Sequence, residues 1–249
     1  MSTTMPSDVV AIREWMEKES YLPQDFDDKL IKKFLHSCYG SLESTKKCIE
    51  KLCTTRSLMP EIYTDRDPFC FMTSDSYPAG DQELLIHQID DPQLDKYSFY
   101  DVLKAFTIQS DYWIRNSELL ADGHIVIIDI KEYTLKILPK VNIMYFREFL
   151  EGMPVRVKQV HAINCPALPA HIRNLIHFHP SADGLHSFID KKYLPKEFGG
   201  SAESLVEQNL KQLALIKKER RWKADLTRKP KNNAADTAMS GSFRTLVID

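Results

Sequence analysis

The sequence predicts an α/β protein: a small N-terminal helical bundle followed by an α/β domain with a largely parallel sheet. Three observations carry this expectation. The first sixty residues space their apolar side chains at helical intervals. Beyond Pro68, apolar runs alternate with longer amphipathic segments, the pattern of strands joined by crossover helices. The run 124–130, His-Ile-Val-Ile-Ile-Asp-Ile, is nearly all β-branched, as in a strand covered on both faces.

Each element follows in order. Ser7-Asp8 can cap a helix with Val9, Ile12, Trp15 and Met16 on one stripe. Tyr21-Leu22-Pro23 ends it, because the residue before a proline disfavours helical backbone. A second stripe, Leu30, Ile31, Phe34 and Leu35, stops near Gly40. Ser41 starts a third helix whose apolar face is Ile49, Leu52 and Cys53. The stretch Thr64-Asp65-Arg66-Asp67-Pro68 reads as a boundary. Short strands are then expected over 69–72 and 83–89. A helix is expected over 97–119, with Phe99, Val102, Leu103, Phe106 and Ser110 on neighbouring turns. Asp122-Gly123 turns into the strand 124–130. A helix over 141–150 carries Met144, Tyr145 and Phe149, a strand follows over 155–163, and an amphipathic helix runs over 205–222. The expected domains are 1–66 (helical), 67–205 (α/β) and 206–249 (an amphipathic helix with a basic, partly flexible tail).

Composition narrows the function. Hydrophobic residues make up 43% and charged residues 27%, an ordinary globular balance. Lys plus Arg is 33 against 35 Asp plus Glu, a net charge of −2, which argues against nucleic acid as a partner. The charge is uneven: 217–231, KKERRWKADLTRKPK, holds eight basic and two acidic residues, so +6 sits there and −8 elsewhere. No apolar run approaches the roughly 20 residues that span a bilayer, and the first twenty residues do not read as a secretory leader. The five cysteines, Cys38, Cys48, Cys53, Cys70 and Cys165, contain no Cys-x-x-Cys pair and read as free thiols of a reducing cytosol.

Catalysis finds no foothold. There is no Gly-x-Ser-x-Gly elbow, phosphate loop or dinucleotide turn among only eight glycines. Asp129, at the end of the buried strand, has no base or nucleophile placed beside it. His161, His171, His177, His179 and His186 invite a metal-site reading, but His-x-His on a strand is common without a metal, and His161 reads as a hydrogen-bonded core residue. No enzyme activity, catalytic residue, metal or cofactor is expected.

Residues 153–166, Met-Pro-Val-Arg-Val-Lys-Gln-Val-His-Ala-Ile-Asn-Cys-Pro, are similar to the CRAL-TRIO (Sec14-like) lipid-binding family, with its proline, basic strand and His-x-Ile-Asn-x-Pro. Residues 193–200, Tyr-Leu-Pro-Lys-Glu-Phe-Gly-Gly, resemble the family's Leu-Pro-x-Glu-Tyr-Gly-Gly. Asp122-Gly123 before Ile127-Ile128-Asp129 resembles its glycine-led central strand. Ile12-Arg13-Glu14-Trp15 and the segment 28–35 look like the family's small N-terminal helical domain. Arg56-Ser57-Leu58-Met59-Pro60-Glu61 and Arg66-Asp67-Pro68 look most like insect α-tocopherol transfer protein-like members. The resemblance covers about 8–205.

The resemblance implies a Sec14-like α/β domain that binds and transfers a small hydrophobic lipid of tocopherol, retinoid, carotenoid or isoprenoid type. Its pocket positions fall on Leu103, Phe106, Ser110, Ile128, Ile130, Tyr133, Phe149, Met153, Val155 and Val157. Taken alone, such stripes read first as plain core. Arg156 and Lys158 fall at basic strand positions that bind a phosphoinositide headgroup in tocopherol transfer protein. A period of two places both on one strand side, where two cations can clamp a phosphate. The implied setting is the cytoplasm, with peripheral and transient membrane association. One departure keeps a second reading open. Only 167–176 separate Pro166 from His177, about three helical turns fewer than the family's gate segment. The alternative is a phosphoinositide-reading membrane adaptor or interaction module without lipid cargo.

Overall fold

The computed structural model describes residues 6–64, 72–89, 99–131, 150–165 and 176–218. The chain divides into two compact units: 1–65 with 143–154 and 223–249, and 66–142 with 155–222.

The first unit is helical, with α1 (Pro6–Lys18), α2 (Asp28–Ser37), α3 (Leu42–Leu58) and the single turn α4 (Pro60–Tyr63). Its helices begin where short polar side chains satisfy their first amides. Asp27 Oδ1 accepts the Leu30 N–H at 2.8 Å, and Ser41 Oγ accepts the Ser44 N–H at 3.3 Å. Between α2 and α3, Tyr39 (φ 55°) and Gly40 (φ 77°) take left-handed backbone, and the Gly40 N–H closes on the Leu35 carbonyl at 2.8 Å. The expected stripes form the core: Val9, Ile12 and Met16, then Leu30, Ile31, Phe34 and Leu35, then Ile49, Leu52 and Cys53 are all buried. Trp15, expected on the first stripe, stays half-buried. Residues 150–154 pack on α3: Cys48 Sγ donates to the Glu151 and Met153 carbonyls, and Lys51 Nζ pairs with Glu151 Oε2 at 3.2 Å.

The second unit is built on a five-stranded sheet in the order β1 (Met72–Ala79), β2 (Gln82–Ile89), β3 (Gly123–Asp129), β4 (Val157–Ile163), β5 (His177–Phe178). β1 and β2 form an antiparallel hairpin turning at Gly80 (φ 71°), and the other three pairings are parallel. β1 replaces the expected strand over 69–72. Its sequence, MTSDSYPA, lacks an apolar run because it is the sheet's edge, where Pro78 and polar residues are tolerated. Between β2 and β3 lies α5 (Phe99–Asn116), the crossover helix expected over 97–119. The helix expected over 141–150 lies outside the described residues except for its end.

One face of the sheet is a dry core. Leu84, Ile86, Ile125, Ile127 and Ile163 pack with Leu185, Ile189, Leu194 and Phe198 of the segment 182–198, which holds three short 3₁₀ turns, and with Leu205 of α6 (Leu205–Lys218). Each such burial contributes about 1.5–3 kcal/mol. The motif 193–200 performs two structural tasks here. Glu197 accepts the Ser204 hydroxyl at 2.5 Å and the Leu205 N–H at 3.0 Å, fixing the start of α6. At Gly200 a Cβ would lie 1.9 Å from the Leu194 carbonyl oxygen, so only glycine fits. From Leu205, α6 runs past the edge strand, where Gln208 Nε2 donates to the Ser76 carbonyl at 2.5 Å, and Ile216 reaches Ile108 of α5. The helix thereby shields an edge that would otherwise offer free backbone groups.

Candidate functional site

The opposite sheet face is different in kind. In parallel pairing, registered residues point to the same side, so Glu83, Leu85 and His87 of β2 share a face with His124, Val126 and Ile128 of β3, and with Val160 and Ala162 of β4. α5 lies on this face. Its Phe106 ring meets His87 edge-on at 4.7 Å, and Trp113 Nε1 donates to Glu83 Oε1 at 2.9 Å while its ring stands against His124 at 5.6 Å. The far side of Glu83, Oε2, lies 3.6 Å from His124 Nε2. Burial lowers the His87 pKa to about 4, so that ring is neutral at neutral pH.

Among the described residues, coverage of this face is incomplete. Leu85, Val126, Ile128 and Val160 are only half-buried, and so is Ile130 just beyond β3. On the other face the partners Leu84, Ile127 and Ile163 are fully buried at 0% exposure. An apolar sheet surface with α5 along it and partly exposed side chains is suited to hold apolar ligand surface.

The expected site residues divide accordingly. Leu103, Phe106 and Ser110 are buried on α5, and Ile128 and Ile130 belong to the half-buried surface. Val155 is half-buried and Val157 is 43% exposed at the start of β4. Met153 is buried in the first unit. Tyr133 and Phe149 lie outside the described residues. Leu85, His87, Val126 and Val160 were missed by the sequence reading. The signal was available, since once Leu84 and Ile86 face the core, a period of two puts Leu85 and His87 opposite.

Arg156 and Lys158 differ in environment. The pairing skips from His124–Val157 to Ile125–Gln159, leaving Lys158 as an extra residue in β4, and a bulge breaks the period of two. Arg156 is buried just before β4. Its N–H donates to His124 Nδ1 at 3.0 Å, and its guanidinium faces Asp122 Oδ1 at 3.8 Å. Lys158 is exposed and lies along Gly123, where a Cβ would come within 2.5 Å of its chain. The strict alternation expected to put both cations on one strand side is interrupted by this bulge, with Arg156 buried facing Asp122 and Lys158 exposed.

The remaining polar residues of the motifs are structural. Asp129 Oδ1 accepts the Lys131 N–H at 3.0 Å and the Asn164 side-chain amide at 2.9 Å, tying the ends of β3 and β4. Asn164 holds left-handed backbone (φ 56°), which its short polar side chain tolerates. His161 is fully buried between two acceptor–donor contacts. Its Nε2–H donates to Gln159 Oε1 at 3.0 Å, and its Nδ1 lies 2.9 Å from His179 Nε2. The rings of His161 and His177 stack at 4.9 Å, and Phe188 packs against both and against His179. Among the described residues no group of three or more His, Cys, Asp or Glu is placed to hold a metal ion. Nor, among them, is any helix long and apolar enough to cross a membrane.

A helical unit followed by a mostly parallel sheet with this dry face and this half-open one defines a Sec14-like α/β protein. Residues 83–200 match the CRAL/TRIO domain model. Residues 1–72 match a model described as Pinta-like, UBA domain, in the region expected to resemble the family's own N-terminal helices. Among relatives, an α-tocopherol transfer protein-like protein of Mus musculus is 24% identical over 226 residues, covering 80% of this chain and 66% of that protein. Its Homo sapiens counterpart is 23% identical over 229 residues with the same coverage. Clavesin-2 of Rattus norvegicus is 29% identical over 122 residues, 42% of this chain and 37% of that protein. The chain thus spans slightly under two thirds of the length of the tocopherol transfer-like relatives.

Proposed function

We propose that the protein binds one small hydrophobic lipid, of tocopherol, retinoid, carotenoid or isoprenoid type, on the α5 side of its sheet, and transfers it between membranes in the cytoplasm. The half-buried surface of Leu85, Val126, Ile128, Ile130 and Val160 carries this reading. Apolar ligand surface laid against it is withdrawn from water at about 25 cal/mol per Å². Leu103 and Phe106 support the floor, Ser110 supplies a hydroxyl, and Tyr133, Val155 and Val157 complete the set of lipid contacts. The names of the tocopherol transfer-like relatives support the cargo class. The reading assigns no chemical step, catalytic group, cofactor or metal.

Release is assisted by a phosphoinositide, with Lys158 as the exposed cation and Arg156 behind it. A second reading, a phosphoinositide-reading adaptor without cargo, draws on the short spacing between Pro166 and His177. The test is transfer of a fluorescent tocopherol analogue between donor and acceptor vesicles. The carrier gives protein-dependent transfer, accelerated when acceptors contain phosphoinositide, and Lys158→Glu removes the acceleration alone. Vesicle binding without any transfer favours the adaptor.

A further inference from the structure

We infer that the outer face of α6 is a docking surface for an anionic lipid bilayer. The face is apolar where a helix that only packs on its own domain should be polar. Val206 and Leu210 are each 63% exposed, one turn apart, and Ala214 continues the stripe at the same spacing. Leu215 is a further 46% exposed on the same turn as Ala214. The inward side is already occupied by Leu205 in the sheet core and by Ile216 against Ile108.

Charge identifies the occupant. The acids beside the stripe face lysines: Glu203 pairs with Lys211, and Glu207 pairs with Lys196 at 3.6 Å. The helix then ends in exposed Lys217 and Lys218, and the sequence continues through 231 with Arg220, Arg221, Lys223, Arg228, Lys229 and Lys231 against only Glu219 and Asp225. The segment 217–231 that begins at Lys217 carries a local +6 in sequence, the sign that the headgroups of an anionic membrane surface attract. Trp222 within the basic run is the aromatic type that favours the membrane interface. The stripe supplies insertion and the lysines and arginines supply attraction, two signals that together give stable yet reversible attachment.

The inference rests on the carrier reading, because a carrier must meet membranes, but its test is separable. The full chain is sedimented with vesicles of phosphatidylcholine alone and with vesicles in which roughly a third of the lipid is phosphatidylserine. Binding is expected on the anionic vesicles, at least fivefold weaker on neutral ones, and weakened by salt. Leu210→Asp, at an exposed position, is expected to reduce anionic binding about tenfold with unchanged circular dichroism and melting temperature. Lys217→Gln with Lys218→Gln is expected to reduce it severalfold and flatten its salt dependence. Native mass spectrometry of Leu210→Asp reads cargo loading independently. Lost vesicle binding with normal loading supports the docking face, whereas loading absent in both proteins sinks the carrier reading alone. Wild-type binding by Leu210→Asp, or equal binding to both vesicle types, overturns the inference. So does a wild-type dimer that Leu210→Asp converts to a monomer, which assigns the stripe to a second copy of the chain.

Discussion

Trp113 Nε1 and Glu83 Oε1 meet at 2.9 Å between α5 and β2, a buried charge-assisted hydrogen bond that anchors the helix on the half-open face of the sheet. The donor comes from the last turns of α5 and the acceptor from the first residues of β2, so the bond sets where Phe106, two turns earlier, meets His87. Trp113→Phe keeps most of the apolar contact and removes the donor. It is expected to destabilise the protein by about 1–3 kcal/mol, because a buried carboxylate loses its partner. Chemical denaturation of the two proteins checks this, and an unchanged midpoint contradicts it.

The surface around Ile128 predicts a separation of binding from stability. Ile128 is half-buried and faces the α5 side, so Ile128→Trp adds bulk where cargo is placed rather than in the dry core. Lipid loading is expected to fall at least tenfold while the melting temperature moves by no more than a few degrees. The same enlargement at Ile127, fully buried on the opposite face, is expected to destabilise by about 1–3 kcal/mol through overpacking. Loading assays and thermal melts on the pair distinguish the faces.

Acid is expected to weaken the second unit through its histidines. Burial first, then His179 and His177, lower the His161 pKa from 6.5 to about 4, and burial lowers that of His87 to about 4 as well. Between these values the unfolded chain binds protons that the folded chain does not. Their contribution to stability is therefore complete above pH 6.5 and declines as pH falls towards 4. The melting temperature should drop by several degrees between pH 6.5 and 5 from this cause. His161→Leu lowers stability at pH 7.5 but gives a shallower acid slope. An equally steep slope in the variant assigns the acid loss elsewhere.

The glycine pair of the 193–200 motif predicts two unequal costs. Gly200→Ala drives a methyl into the Leu194 carbonyl, a backbone atom that cannot rotate away, and is expected to cost more than about 3 kcal/mol or prevent soluble expression. Gly199→Ala meets only the His186 ring at 3.1 Å but must hold φ at 73°, a cost of about 1–2 kcal/mol. Expression yields and melts of the two variants rank them, and equal effects contradict the geometry.

Much of this architecture was legible in the sequence because its physical causes are local. Leu30, Ile31, Phe34 and Leu35 share one helical stripe, and residues 124–129 announce a central strand by composition alone. β1 was not legible. An edge strand with one protected side needs no apolar run, and its contact with α6 through Gln208 is distant in sequence. The candidate site was legible in part. Family motifs pointed to α5 and β3, but the α5-facing set of β2 and β4 emerges only from register. The different settings of Arg156 and Lys158 were not legible because the extra residue in β4 leaves no local trace, and because His124 and Asp122, more than thirty residues earlier, contact Arg156.

The central claim is that the half-open face carries a hydrophobic lipid, and native mass spectrometry of the freshly purified full chain tests it most directly. The account predicts a mass excess of one small-molecule equivalent, lost after organic extraction, with a single hydrophobic compound class recovered in the extract. A clean mass of the chain alone that persists after incubation with tocopherol, retinoid and isoprenoid lipids contradicts it.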